Sequence, residues 1–169
     1  MTVTNVHKDP EALTMDITVE LDASVERAWQ LWADPRQLER WWGPPGYPAT
    51  FVDHDLTVGA RLTYFMTSPE GDKYYGWWEV LAVEAPRRLE VRDGFGDATG
   101  QPNDDLPVGR MVVTLEERGG RTEMVIRSHF PTLEAMEQVL EMGQEEGMVQ
   151  AIGQIEGILA DTATPRSPD

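Results

Sequence analysis

Cysteine is absent from this 169-residue chain. Disulfides, thiol nucleophiles and thiolate-held metals are therefore excluded, and nothing supports a small secreted fold stapled by bridges. Long apolar runs are missing too: none approaches the ~18–20 residues that span a bilayer, so no membrane insertion is expected. The first residues carry no basic segment followed by an apolar one, so no signal peptide is expected and a cytoplasmic location follows by default. Positive charge is scarce, with 14 basic against 30 acidic residues and a net charge of −16. Such a surface repels phosphate backbones and anionic leaflets, which argues against nucleic acid as a partner. The acidic residues are spread along the chain rather than gathered in a tail, as solubility alone would arrange them. No glycine-rich loop precedes a helix in the manner of a phosphate cradle, and no cofactor is expected.

What is present is a sequence of clear periodicities. Met15, Ile17, Val19 and Leu21 alternate with polar residues, the period of a half-buried strand. Ser24 can cap a helix carrying Val25, Ala28, Trp29 and Trp32, and Asp34-Pro35 stops it and starts a second short one. Gly43-Pro44-Pro45-Gly46 ends the pair. Six strands follow, at Thr50–Asp53, Gly59–Met66, Tyr74–Glu84, Leu89–Asp93, from Met111 to Leu115 and from Met124 to Phe130. Residues 94–107 read as a long surface loop, either a binding lid or an insertion. From Thr132 the period becomes helical, with Leu133, Met136, Leu140, Gly143, Gly147, Ala151, Ile155 and Leu159 on one stripe of a helix of about 28 residues.

Strands joined by short turns make an antiparallel sheet, and only the last helix is long enough to cover its inner face. The expected fold is α+β, a helix-grip: a curved antiparallel sheet, two short helices, and one long C-terminal helix packed across it. The expected organisation is a loose lead-in over 1–12, a single domain over 13–160, and a flexible tail over 161–169.

The run Val25-Glu26-Arg27-Ala28-Trp29, then Trp32-Ala33-Asp34-Pro35, Leu38 and Trp41-Trp42-Gly43-Pro44 resembles the opening signature of the homologues of the heat-shock-protein-90 ATPase activator, within the START-like (SRPBCC) superfamily. Gly59, Gly71, Ala85-Pro86-Arg87-Arg88-Leu89 and the Gly119 turn continue the resemblance over about residues 14–160. It implies a helix-grip that binds hydrophobic ligands. Two features depart from the common pattern: Met148, where many relatives have tryptophan after the helix glycine, and the long loop 94–107.

Gly143 and Gly147, one turn apart on the inner stripe, each cost about 1 kcal/mol relative to alanine in a helix interior. Either they thin the roof for a ligand, or they permit close helix–sheet packing or a bend. The residues expected around such a pocket are Trp29, Trp41, Leu62, Tyr64, Met66, Trp77, Met111, Met136, Leu140, Gly143 and Gly147. In the pairs Trp41-Trp42 and Trp77-Trp78 one member is expected at a rim or interface, which a homodimer contact could use. Catalytic candidates are Tyr64, and Glu79 if the Trp77, Leu81 and Val83 side of its strand faces the cavity. Asp53-His54-Asp55 reads as a surface turn, not a metal cluster. The leading expectation is a binder of a small apolar molecule; an enzyme of cyclase or hydratase kind, and a co-chaperone stimulating a heat-shock-protein-90-type ATPase, are the alternatives.

Overall fold

In the computed structural model, residues 2–163 are described. Eight strands form one antiparallel sheet: β1 (Thr2–Asp9), β2 (Thr14–Leu21), β3 (Ala49–Asp53), β4 (Arg61–Thr67), β5 (Lys73–Glu84), β6 (Arg88–Phe95), β7 (Gly109–Arg118) and β8 (Arg121–His129). Their order across the sheet is β1-β2-β8-β7-β6-β5-β4-β3. Helices α1 (Val25–Ala33) and α2 (Pro35–Trp42) interrupt it after β2, and α3 (Leu133–Glu141), α4 (Gln144–Ile152) and α5 (Ile155–Ala163) close the chain. This is the helix-grip, with all seven expected strands in place.

The lead-in is the first correction. Residues 2–9 pair with β2 as an edge strand, and Val3 and Val6 pack against the core. A register shift between Val3 and Asn5 puts these inward residues three apart instead of two. The bulge hides the alternation by which strands are recognised. The Asp9 side chain then turns the chain by accepting from the amides of Glu11 and Ala12.

The C-terminal helix is not one straight rod. α3 is capped by Thr132, whose hydroxyl accepts from the Ala135 amide at 3.0 Å, and the chain breaks from it at Gly143, which is left-handed with φ +90°. At the junction of α4 and α5 the helical bond from Gly153 to Val149 persists, so 144–163 is a continuous helical course with one tightened turn. Met136, Val139, Ala151, Ile152, Ile155, Ile158 and Leu159 are buried, whereas Leu133 is exposed and leaves the expected stripe. Helix α5 reaches Ala163, past the expected end, and the remainder of the expected tail lies outside the described residues.

Helix α2 fixes how the roof meets the sheet. Asp34 accepts from the Arg36 amide, Gln37 bonds back to Asp34, and Pro35 opens the first turn, as the spacing predicts. At its far end the Gln154 amide donates to the Gly43 carbonyl at 2.7 Å, satisfying an acceptor left over by the helix terminus. Gly43 is required by sterics: a Cβ there would sit 1.9 Å from the Tyr47 carbonyl oxygen. The Lys8 ammonium binds Glu145, tying the edge strand β1 to the start of α4.

Candidate functional site

One end of the space between sheet and roof is filled by aromatic rings. Trp32 meets Trp41 edge-on at 4.8 Å between centroids, Trp42 meets Trp78 at 4.9 Å, and Phe51 lies 5.1 Å from Tyr64. Trp41 and Trp42 are both buried. The expectation that one of them sits at a rim fails because adjacent helix residues are only ~100° apart and this helix end is enclosed on two sides. Trp41 donates to the Leu31 carbonyl at 2.9 Å, while the Trp42 indole is directed towards Tyr64.

The other end is not filled by side chains. A cavity of about 240 Å³ lies between the sheet and the α3–α4 junction, bordered by Trp42, Pro44, Tyr64, Met66, Asp93, Phe95, Pro107, Met111, Ser128, Phe130, Val139, Gly143, Gln144, Gly147 and Met148 among others. Its floor carries small or polar residues at inward positions of three adjacent strands, Asp93 on β6, Gly109 on β7 and Ser128 on β8. Tyr64 leans over Gly76, where a Cβ would fall 2.3 Å from its ring. The helix break at Gly143 stands above the floor. Exposed Met142, with Pro107 from the β6–β7 connection, borders the same opening.

Five of the residues expected around a pocket converge here: Tyr64, Met66, Met111, Gly143 and Gly147. Trp29, Trp41, Leu62 and Met136 are buried in the core, Leu140 packs beside it, and none of the five borders the cavity. Trp77 lies on the convex face, with the Arg61 and Arg92 guanidinium groups 5.0 and 5.8 Å from its ring and its edge over Gly94. Glu79 shares that face and accepts from Arg92 at 2.8 Å, so it is not a cavity carboxylate. The inward set on β5 is Gly76, Trp78 and Val80, the opposite parity to the one Glu79 needed. His54 bonds to the Trp32 carbonyl at 3.0 Å.

The carboxylate in the cavity is Asp93, which the sequence reading passed over. Leu89, Val91 and Asp93 alternate on one side of β6, and the burial of the first two gave the signal. Burial pushes the Asp93 carboxyl up from 3.8 to about 6, opposed only by its own backbone amide. No basic side chain among the described residues offsets its charge: Arg110, on the cavity border, binds Glu90 on the outer face instead. Tyr64 is pushed up to about 12, first by burial and also by Asp93, with the Trp42 indole acting in the other direction. It is therefore a neutral hydroxyl at any physiological pH. His129, at the edge of the cavity, is held below its usual range by burial and then by Arg110 and Arg127. Gln144 Oε1 is buried without a partner. The site is thus an apolar chamber with a few unsatisfied polar atoms, the general composition of a small-molecule pocket.

The pattern of the family described as Activator of Hsp90 ATPase homolog 1-like protein matches residues 22–160. The chain is similar to protein Ms6760 of Mycobacterium smegmatis, whose crystal structure aligns with TM-score 0.88 at 50% identity over 98% of this chain and 100% of that one. A protein of Arthrobacter aurescens, solved in solution, aligns with TM-score 0.91 at 51% identity over 96% of this chain and 94% of its own. A Staphylococcus epidermidis protein aligns at 25% identity with TM-score 0.81, covering 98% and 99% of the two chains. No curated protein sequence gives a significant match.

Proposed function

The chain belongs to the Activator of Hsp90 ATPase homolog 1-like family, and from that footing we propose that it is a binding protein for a small, mostly apolar molecule held between the sheet and the C-terminal helices. The observation that carries this reading is the 240 Å³ cavity under the Gly143 break. The cavity is open to solvent and mostly apolar in its lining, so an apolar occupant would remove that surface from water at about 25 cal/mol per Å². Scaling from the ~150 Å³ that accommodates benzene, the occupant has about ten non-hydrogen atoms.

Gly147 gives the test. It lies within α4 and borders the cavity, and a Cβ there would be in ordinary contact, 3.7 Å from Pro44. Gly147→Leu therefore fills the chamber without backbone strain. A hydrophobic reporter dye should bind the wild type at one site and lose at least tenfold in affinity in Gly147→Leu. The variant should also be more stable by about 1–2 kcal/mol, from helix propensity and apolar burial. Equal dye binding by both proteins would remove the cavity from consideration. Gly143 is the poorer probe, because its positive φ strains any side chain.

A second reading has one observation in its favour. A carboxyl held near pH 6 beside a neutral phenol can donate and accept protons within an apolar chamber, as a cyclase or hydratase requires. Asp93 takes the place first considered for Glu79. Turnover of an occupant that disappears in Asp93→Asn, with binding retained, would support it. The family name is the only support for co-chaperone activity, which an ATPase-stimulation assay with a heat-shock-protein-90 homologue decides.

A further inference from the structure

We infer that the cavity selects small arylalkylamines, seating the ammonium on the Asp93 carboxylate and the ring among Trp42, Tyr64 and Phe130. This rests on the reading of the cavity as a binding site and adds the chemical class of the occupant. Asp93 occupies an inward position on a central strand, between Trp78 on β5 and Gly109 on β7. Its side chain borders the cavity and lies close over Gly109, where an added Cβ would be crowded by the His129 carbonyl oxygen at 3.0 Å and by Asp93 Oδ1 at 3.3 Å. A carboxylate in an apolar enclosure is costly unless a cation or several donors meet it. This one has no cationic partner among the described residues, since the neighbouring Arg110 is engaged by Glu90 and Arg127 by Asp16. The molecule therefore presents an ion-pair half-site facing a void.

The walls fit the same occupant. Trp42 and Tyr64 are in edge-to-face contact at 6.1 Å, and with Phe130 they give the cavity aromatic surfaces that accept both a ring and the residual charge of an ammonium group. A net charge of −16 concentrates cations at the surface and repels anions. An anionic ligand would meet an unpaired carboxylate, and a neutral alcohol would satisfy it with one hydrogen bond and no charge. An amine supplies both.

The test is an isosteric series measured by calorimetry on the full chain at pH 7.5: 2-phenylethylamine, 2-phenylethanol and phenylacetate. The amine is expected to bind at least tenfold tighter than the alcohol, a factor of ten being about 1.4 kcal/mol, and phenylacetate more weakly than either. Asp93→Asn should bring amine and alcohol affinities together. Carboxyl-carbon NMR of Asp93 in the wild type gives an independent readout, because saturation with the amine should move its titration to lower pH. An alcohol that binds as well as the amine overturns the amine assignment while leaving the pocket standing. Failure of all three compounds and of the reporter dye overturns both.

Discussion

Asp93 makes the stability of this protein depend on pH in a direction opposite to that of most carboxylates. Its folded-state value is raised to about 6 from 3.8. The native state thus holds the proton more tightly than the unfolded chain does. The favourable contribution is complete below about pH 4, declines as pH rises through the interval to about 6, and is absent above it. Moving the titration from 3.8 to about 6 corresponds to ~3 kcal/mol, at about 1.4 kcal/mol for each tenfold change in proton affinity. Because the carboxyl retains some contact with water through the cavity mouth, about 1–3 kcal/mol is the working range. Asp93→Asn removes the ionisation and keeps the shape, so above pH 6 it should be more stable than the wild type by that amount, about 3–10 °C in Tm for a chain of this length. At pH 4 the two proteins should nearly coincide. Thermal melts by circular dichroism from pH 4 to 8 on both proteins give the difference as a function of pH, in which the uncoupled groups cancel. Asp16, lowered chiefly by its hydrogen bonds from Arg127, is one such group; its contribution is lost as pH falls. A difference that does not vary with pH, or a variant less stable than the wild type at pH 7.5, would refute the account of Asp93 as a buried, unpaired carboxylate.

Three further outcomes follow from contacts already described. Gly76→Ala would place a Cβ 2.3 Å from the Tyr64 ring, forcing the phenol into the cavity. Chemical denaturation should register a loss of about 1–3 kcal/mol, and dye affinity should fall with it. Gly43→Ala meets backbone rather than a movable side chain, 1.9 Å from the Tyr47 oxygen and 2.9 Å from the Ala49 nitrogen, and should cost ~3 kcal/mol by the same measurement. Glu79→Gln alters only a surface pair with Arg92 on the convex face, so stability should change by less than about 1 kcal/mol and dye binding should not change.

The parts of the fold that the sequence made legible are those in which one periodicity runs undisturbed. β2, β7 and β8 alternate cleanly, and the caps at Ser24, Asp34 and Thr132 each make the bond their position implies. Interruptions defeated the pattern. The bulge in β1 concealed a strand, and the left-handed Gly143 divided a stripe that reads as continuous because its spacings of three and four survive the break. At the site, Tyr64 and Met66 were recovered because β4 alternates. Asp93 was missed because a charged residue at the end of an apolar strand is usually a boundary, and only the parity of Leu89 and Val91 says otherwise. Choosing Trp41 over Trp42 for the pocket, and Trp77 over Trp78 for the inner face, are errors of orientation. Neighbouring tryptophans are equally apolar, so composition cannot tell them apart.

Both outcomes trace to one arrangement of side-chain sizes along the inner face. β6 reads inward Leu89, Val91, Asp93, Phe95; β7 reads Leu115, Val113, Met111, Gly109; and β8 reads Met124, Ile126, Ser128 before Phe130. Towards one end of the sheet every position is a full-sized aliphatic, and the space closes. Towards the other, three adjacent strands present Asp93, Gly109 and Ser128, and the roof above them has Gly147 beside the break at Gly143, whose left-handed backbone itself calls for glycine. Small residues on both floor and roof, at the same end, are not what close packing of a helix on a sheet would select. Gly147 has no backbone within 4 Å of the position its Cβ would take, only the Pro44 ring at 3.7 Å. Tight approach of the helix therefore does not explain it. On the proposed binding role the space is kept for an occupant, and a leucine at 147 should then raise stability and lower affinity in the same molecule.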